Sequence, residues 1–263
     1  NLKLIICKAQ QQEVQQYMSS IDEKIAKKCA LLIVHQNMAD LSRSDPAAFA
    51  LLRRNGFGAS DSSILLGVNP YNKLDELIKQ KRMKELTQEE LKVGQLPAVR
   101  KGTDLEPLIL QKFEAWADIG LRKPEPMYKL KDEPQLTVNF DGVAELSGQF
   151  IPVEAKCVSS FAHKYWKLNK SLDSVFGGTD YKVGGANLQA HINELSGYIG
   201  IPPYYFTQVQ HQMLALKADF GYLVGLFEKD WNIHVYKIYR DDYVINALKE
   251  VSREAWGKVI ASE

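Results

Sequence analysis

Apolar positions along the 263-residue chain recur at two different spacings. Over residues 9–37, Val14, Tyr17, Met18, Ile21, Ile25, Cys29, Leu32 and Ile33 fall three and four apart among Gln, Lys and Glu, which predicts one amphipathic helix. Asp45-Pro46 opens a second helix through Leu52, because an acidic cap followed by proline suits a first turn. Arg53 to Gly58 reads as a glycine-rich loop. Ser60 or Asp61 then caps a short helix, Ser62 to Leu66, closed by Gly67. Residues 73 to 92 form a charged helical stretch, and Ala98 to Ala117 a longer helix burying Leu105, Leu108, Ile109, Phe113 and Trp116. Beyond Pro124, Pro126 and Pro134 the pattern predicts strands at Met127 to Leu130, Leu136 to Phe140 and Gln149 to Val158. Phe161 to Leu168 reads as helix, and Asn169 to Gly185 as a Gly- and Lys-containing loop. A helix from Tyr204 to Lys217, strands at Gly221 to Phe227 and Asn232 to Tyr239, and a terminal helix from Asp241-Asp242 to about Val259 complete the chain. This order predicts an α/β architecture, a central mixed β-sheet flanked by helices. With no internal repeat and no linker, one domain is expected over 1–263, with residues 1–40 as a helical N-terminal extension.

Composition narrows the class. At 45% hydrophobic and 25% charged residues the chain is globular rather than disordered. No apolar run approaches the roughly 18–20 residues that span a bilayer, and the opening Leu2 to Ile6 is too short for a secretory signal. Cys7, Cys29 and Cys157 have neither metal-ligand nor disulfide spacing. Both features lead us to expect a cytoplasmic protein without a membrane partner. The balance of 33 basic against 32 acidic residues argues against indiscriminate coating of nucleic acid. That total hides a local pattern: residues 136 to 155 hold Asp141, Glu145 and Glu154 and no basic residue, whereas a basic, aromatic stretch follows directly.

The acidic stretch carries the candidate chemistry. Asn139-Phe140-Asp141-Gly142 precedes Glu154-Ala155-Lys156 on the strand Gln149 to Val158. Side chains alternate along a strand, so Glu154 and Lys156 point one way while Val153, Ala155 and Cys157 point into the core. A strand ending at Asp141-Gly142 and joined by a hairpin sets the two carboxylates side by side. Adjacent carboxylates repel unless a cation separates them, and hard oxygen ligands favour Mg2+ or Mn2+. A lysine two residues away can hold or deprotonate a water and offset charge on a phosphate. The same residues also fit an ordinary turn beside an exposed ion pair.

Three further segments add context. Glu106, in Gly102-Thr103-Asp104-Leu105-Glu106-Pro107, places a carboxylate on the long helix. Arg53, Arg54 and Ser60 flank a loop that opens onto a helix N-terminus, where backbone N–H groups favour a phosphate. Gln208 and Gln212 share a face of the Tyr204 to Lys217 helix, one turn apart.

In this order the pieces resemble the YqaJ-type viral recombinase family, the lambda-exonuclease-like branch of the PD-(D/E)XK nuclease superfamily. They are Arg53 with Gly58-Ala59-Ser60-Asp61, Leu66-Gly67-Val68-Asn69-Pro70-Tyr71, Gly102 to Glu106, Asp141-Gly142, Glu154-Ala155-Lys156-Cys157, and Tyr205 to Gln210. The resemblance implies a restriction-endonuclease-like core and a 5′ to 3′ exonuclease that resects linear double-stranded DNA to 3′ overhangs for a single-strand annealing protein. It implies a phage or prophage origin and action in the bacterial cytoplasm. By resemblance, Asp141 and Glu154 hold Mg2+, or Mn2+ in its place, with the Ala155 carbonyl as a backbone ligand. Lys156 takes the catalytic lysine position, Glu106 the helix acid that completes the metal site, and Gln208 the amide near it. Arg53 and Ser60 match the pair that holds the 5′-phosphate, and Arg54 competes with Arg53. Homo-oligomers of the family are often trimeric rings around DNA.

The match has departures. Phe140 replaces a proline of the motif, and Pro152, just before Glu154, suggests an irregular or edge strand. Lys164 and Lys167, interleaved with Phe161, Tyr165 and Trp166, suit phosphates and bases of a separated strand or a solvated helix face. Gln210 is a further DNA-contact candidate. The alternatives are an endonuclease or nickase on the same fold, and a non-catalytic DNA-end-binding recombination protein.

Overall fold

A computed structural model describes residues 21–94, 96–167 and 187–261; the expected loop from Asn169 to Gly185 and the first twenty residues lie outside it. The first half contains α1 (21–29), β1 (Leu31–His35), α2 (Met38–Ser44), α3 (Pro46–Leu52), α4 (Ser62–Leu65), α5 (Leu74–Arg82), α6 (Gln88–Val93) and α7 (Pro97–Ala117). The second contains β2 (Leu121–Arg122), β3 (Met127–Leu130), β4 (Thr137–Val138), β5 (Gly142–Leu146), β6 (Gln149–Val158), α8 (Leu188–Ile199), α9 (Pro203–Leu216), β7 (Phe220–Phe227), β8 (Ile233–Tyr239) and α10 (Asp242–Ile260).

The expected mixed sheet is present. Its five strands run in the order β2-β5-β6-β7-β8, with β6 and β7 parallel and the other pairs antiparallel. A parallel neighbour requires a long crossover, and α8 and α9 lie within the one that joins β6 to β7. On one face α7 packs Ile109, Leu110 and Phe113 against Val153, Ala155, Val224, Leu226 and Val235. On the other, α9 brings Phe206, Val209 and Met213 into the larger core with Leu223, Tyr236 and Ile238. A second sheet, β1-β3-β4, extends that core.

Several elements differ from the sequence reading. The single helix expected over 9–37 ends within the described residues at Ala30, where the backbone turns left-handed (φ 57°), and Leu31 starts a strand antiparallel to β3. The extension is therefore not purely helical: Ile25, Cys29 and Leu31 are buried in the main core. The charged stretch 73–92 is two helices, because Thr87 and Glu90 cap each other's backbone N–H groups and begin a new one. Phe161 to Leu168 supplies only a short 3-10 turn, Ala162–Tyr165. Helix α8 and strand β5 were not anticipated.

Strand β5 decides where the site forms. Ser147 and Gly148 both take left-handed backbone angles, φ 49° and 75°, which suits the two-residue turn of a tight hairpin. That turn sets the register Gly142 opposite Val153. Asp141 therefore lies just before a strand, not at the end of one. Pro152 pairs with Val143, and β6 begins its parallel pairing with β7 one residue later, at Val153. The strand is thus central rather than an edge, with Pro152 placed where its missing N–H is harmless.

Candidate active site

The site forms where β5 stops and β6 continues. With no β5 residue left to pair, the Ala155 N–H donates to Asp141 Oδ2 at 2.9 Å. In a strand the N–H and C=O of one residue leave on the same edge, so the Ala155 carbonyl faces the same gap. One residue to either side, Glu154 and Lys156 project onto the α9 face, as the alternation required. Glu154 is 2% exposed, and its Oε1 accepts from both Lys156 Nζ and Gln208 Nε2. Its other oxygen accepts from Gln212 Nε2 at 2.5 Å. The alternative of an exposed ion pair is thereby replaced by a buried network on α9.

Electrostatics tie these groups together. Burial, and then the negative charge of Glu154, push the Asp141 carboxyl well above the usual aspartate range; Glu106 adds to this and Lys156 opposes it. For Lys156, burial alone would favour the neutral amine, but Glu154 and Asp141 hold it above its ordinary range. Asp141 and Glu154 thus feel each other's negative charge, which Lys156 offsets in part.

The donor set fits a hard divalent ion of modest protein coordination. Such ions take one or two carboxylates together with waters and phosphate oxygens, and the available oxygen donors are the neighbouring Asp141 and Glu154 carboxylates and the Ala155 carbonyl, which leaves the strand on the edge that Asp141 bonds. Glu106 is the exception. It acts on Asp141 through its charge, but its carboxylate is paired with Lys123 Nζ at 2.6 Å. Among the described residues no three His, Cys, Asp or Glu side chains converge closely enough to hold an ion by themselves.

The remaining expected residues separate clearly. Arg53 is exposed and donates to Ser60 Oγ at 3.3 Å, so this pair does assemble at the surface. Arg54 is buried; its guanidinium binds Glu90 at 2.7 Å and the carbonyl oxygens of Met83 and Glu85, which makes it a structural tie rather than a free phosphate ligand. Gln210 lies within the fold. Buried opposite Gln208 and Gln212 on α9, it donates to the Tyr239 carbonyl and accepts from the Asp241 N–H, which engages its amide inside the protein. Lys164 is exposed over Tyr165, with Nζ 5.0 Å from the ring. Lys167 is exposed but donates to the Gly197 carbonyl at the end of α8.

Helix α9 links the two halves. His211 is fully buried, and its Nδ1 lies 2.8 Å from Ser62 Oγ, beside the Ser60 loop, while Gln208 and Gln212 hold Glu154. Gln212 was expected to share the face of Gln208 but not to bond Glu154, and the proximity of Tyr205, whose ring centre is 5.4 Å from Lys156 Nζ, was not expected. For Gln212 a signal existed in its one-turn spacing from Gln208.

With this geometry the chain can be compared with known proteins. The sequence model of the YqaJ-like viral recombinase domain matches residues 48–218, a segment that runs from the Arg53 loop to the end of α9. The chain belongs to the YqaJ-like viral recombinase family. One relative in this family, the uncharacterized protein YqaJ of Bacillus subtilis (strain 168), is 24% identical over 231 residues, 86% of this chain. The chain spans 59% of that relative's length. Among solved structures, the alkaline exonuclease LHK-Exo of Laribacter hongkongensis aligns with a TM-score of 0.55 at 16% identity, covering 80% of this chain and 90% of that one. LHK-Exo in complex with dAMP gives 0.54 at 16% identity, covering 81% and 91%. This member of the YqaJ-like family therefore shares the alkaline exonuclease fold. No helix of the described residues is long and apolar enough to cross a membrane.

Proposed function

We propose that the chain is a metal-dependent nuclease that digests one strand of linear double-stranded DNA from its 5′ end, leaving 3′ overhangs for annealing recombination. The observation that carries this reading is the cluster of buried Glu154 with half-buried Asp141 and Lys156 beside a backbone carbonyl. Its family and its likeness to an alkaline exonuclease fold support the same chemistry.

In this reading Asp141, Glu154 and the Ala155 carbonyl would hold Mg2+, or Mn2+ in its place. Such an ion supplies a polarised phosphate and a water acidic enough to attack it. The protein's own groups do the rest. Gln208 and Gln212 fix both oxygens of Glu154, and so the direction in which its free lone pairs point. Lys156 places positive charge next to the phosphate oxygens. Glu106, paired with Lys123 through one oxygen, would join through its other oxygen. Arg53 and Ser60, with the N–H groups that follow Gly58, would hold the terminal 5′-phosphate. A homo-oligomeric ring, trimeric by resemblance, and hand-over to a single-strand annealing protein belong to the same reading.

The test is digestion of a linear duplex labelled separately at each 5′ and 3′ end, with Mg2+. Loss of the 5′ labels first, with covalently closed circles spared, is the expected result. Comparable cutting of closed circles would instead indicate an endonuclease or nickase. Arg53→Ala and Ser60→Ala should slow digestion of 5′-phosphorylated ends more than of 5′-hydroxyl ends; equal slowing would remove their assigned role.

A further inference from the structure

The segment Leu66 to Tyr71, singled out by sequence and unused by the site above, holds an aromatic ring in the open. Tyr71 is 74% exposed. A lone exposed tyrosine is unremarkable, but this one is rigidly mounted. Asn69 Oδ1 accepts from the N–H groups of Tyr71 and Asn72, both at 2.9 Å, and its Nδ2 donates to Ser63 Oγ at 2.8 Å. The Val68 and Asn69 N–H groups donate to the Ser63 carbonyl at 2.9 and 3.0 Å. The turn is thus fixed to α4, directly after the Ser60 loop.

From Tyr71 a run of rings leads inward. Tyr204, at the start of α9, lies 6.2 Å from Tyr71 and 4.5 Å from Tyr205, centre to centre. Tyr205 reaches Lys156, with Nζ 5.4 Å from its ring centre. Tyr165, 59% exposed, is close enough to Tyr204 to act on its hydroxyl. Trp166 backs Tyr205 from the core at 5.4 Å. The rings therefore connect Lys156 to solvent at the turn that follows α4.

We propose that Tyr71, braced by Tyr204, is a stacking platform for an unpaired nucleobase next to the cleaved end of the DNA. This rests on the nuclease reading of the site. Every base offers a π-face, so stacking is tolerant of sequence, which suits an enzyme that must advance through any sequence. A preordered ring also loses little conformational freedom on binding. At 74% exposure much of the Tyr71 ring surface is open to a base.

The test uses the full chain carrying Glu154→Gln, in Mg2+, so that DNA is bound without being cut. The DNA is a linear duplex with 2-aminopurine at a terminal or an internal position. Quenching at the terminal position alone is expected, kept in Tyr71→Phe and lost in Tyr71→Ala, with affinity for the duplex end about tenfold weaker in Tyr71→Ala. Equal quenching and affinity with and without the Tyr71 ring would overturn the platform. So would an equal loss in Tyr71→Phe, which would make the hydroxyl the contact, or no quenching in any of the proteins. Digestion by the chain with Glu154 intact is scored separately. Its absence would count against the nuclease reading and leave the fluorescence result standing.

Discussion

Strand β6 presents opposite chemistry to the two faces of the central sheet. Toward α7 it offers Val153 and Ala155 to an apolar cluster with Phe113, Val224 and Leu226. Toward α9, two residues of the same strand, Glu154 and Lys156, sit in a network with Gln208 and Gln212. Burying apolar surface stabilises a fold at about 25 cal/mol per Å2. A buried ion pair contributes little net and often less than an apolar pair of the same shape. The buried Gln212 Oε1 lacks a partner among the described residues, which adds to the cost of the α9 face. Toward α7 the strand contributes apolar packing alone, whereas toward α9 it sets Glu154 and Lys156 into a face that also holds the larger core.

The contrast breaks most sharply under substitution of the charged face. Asp141→Asn should reduce Mg2+-dependent digestion on the order of 10³-fold, the loss expected for removing the proposed metal ligand. Urea unfolding should be little changed. If stability collapsed together with activity, Asp141 would belong to the fold. On the opposite face the order reverses: Phe113→Ala should cost about 3–5 kcal/mol in urea unfolding, while the protein that remains folded should cut at close to the normal rate.

The adjacent arginines repeat the contrast at the phosphate loop. Arg54→Ala leaves Glu90 without its buried partner and frees two carbonyls, so a loss of about 3 kcal/mol is expected in thermal or urea unfolding. Arg53→Ala, at an exposed side chain, should stay within about 0.5 kcal/mol. Equal losses would mean that the two have been assigned the wrong way round.

His211 gives the most specific effect. Burial lowers its folded pKa from 6.5 to about 4. The unfolded chain therefore takes up a proton below pH 6.5 that the folded chain refuses, and this contribution to stability is lost as pH falls toward 4. Between pH 7 and 5 the loss is about 2 kcal/mol. Asp22 acts in the opposite sense, because burial raises it to about 6 and its folded form gains stability as pH falls through that range. The difference in pH dependence between the parent protein and His211→Asn isolates the imidazole; parallel curves would show that His211 is not held neutral.

Much of this was legible in the sequence, for particular reasons. The alternation in Gln149 to Val158 announced which side chains share a face, and β6 has those bounds. Asp45-Pro46 and Asp241-Asp242 marked helix starts, and both acids do cap backbone N–H groups. Strand β5 was hidden because Gly142 to Leu146 is short and begins with the Asp-Gly of an ordinary turn; only pairing with β6 makes it a strand. Arg53 and Arg54 are chemically equal neighbours, and their fates part only where α6 folds back to present Glu90. Likewise Gln208, Gln210 and Gln212 look alike in the sequence. Helical geometry puts Gln210 on the far side, where the corner between β8 and α10 consumes its amide. The buried network around Glu154 required the α8 and α9 crossover, a long-range arrangement that no local pattern contains.

The most direct test of the central claim is the rate at which Glu154→Gln releases nucleotides from a linear duplex in Mg2+, measured beside its thermal unfolding midpoint. The substitution keeps the shape of the side chain and removes its charge. The account predicts a rate at least about 10³-fold below that of the parent, with the midpoint unchanged or slightly raised. Digestion at close to the parent rate by a folded Glu154→Gln protein would contradict it.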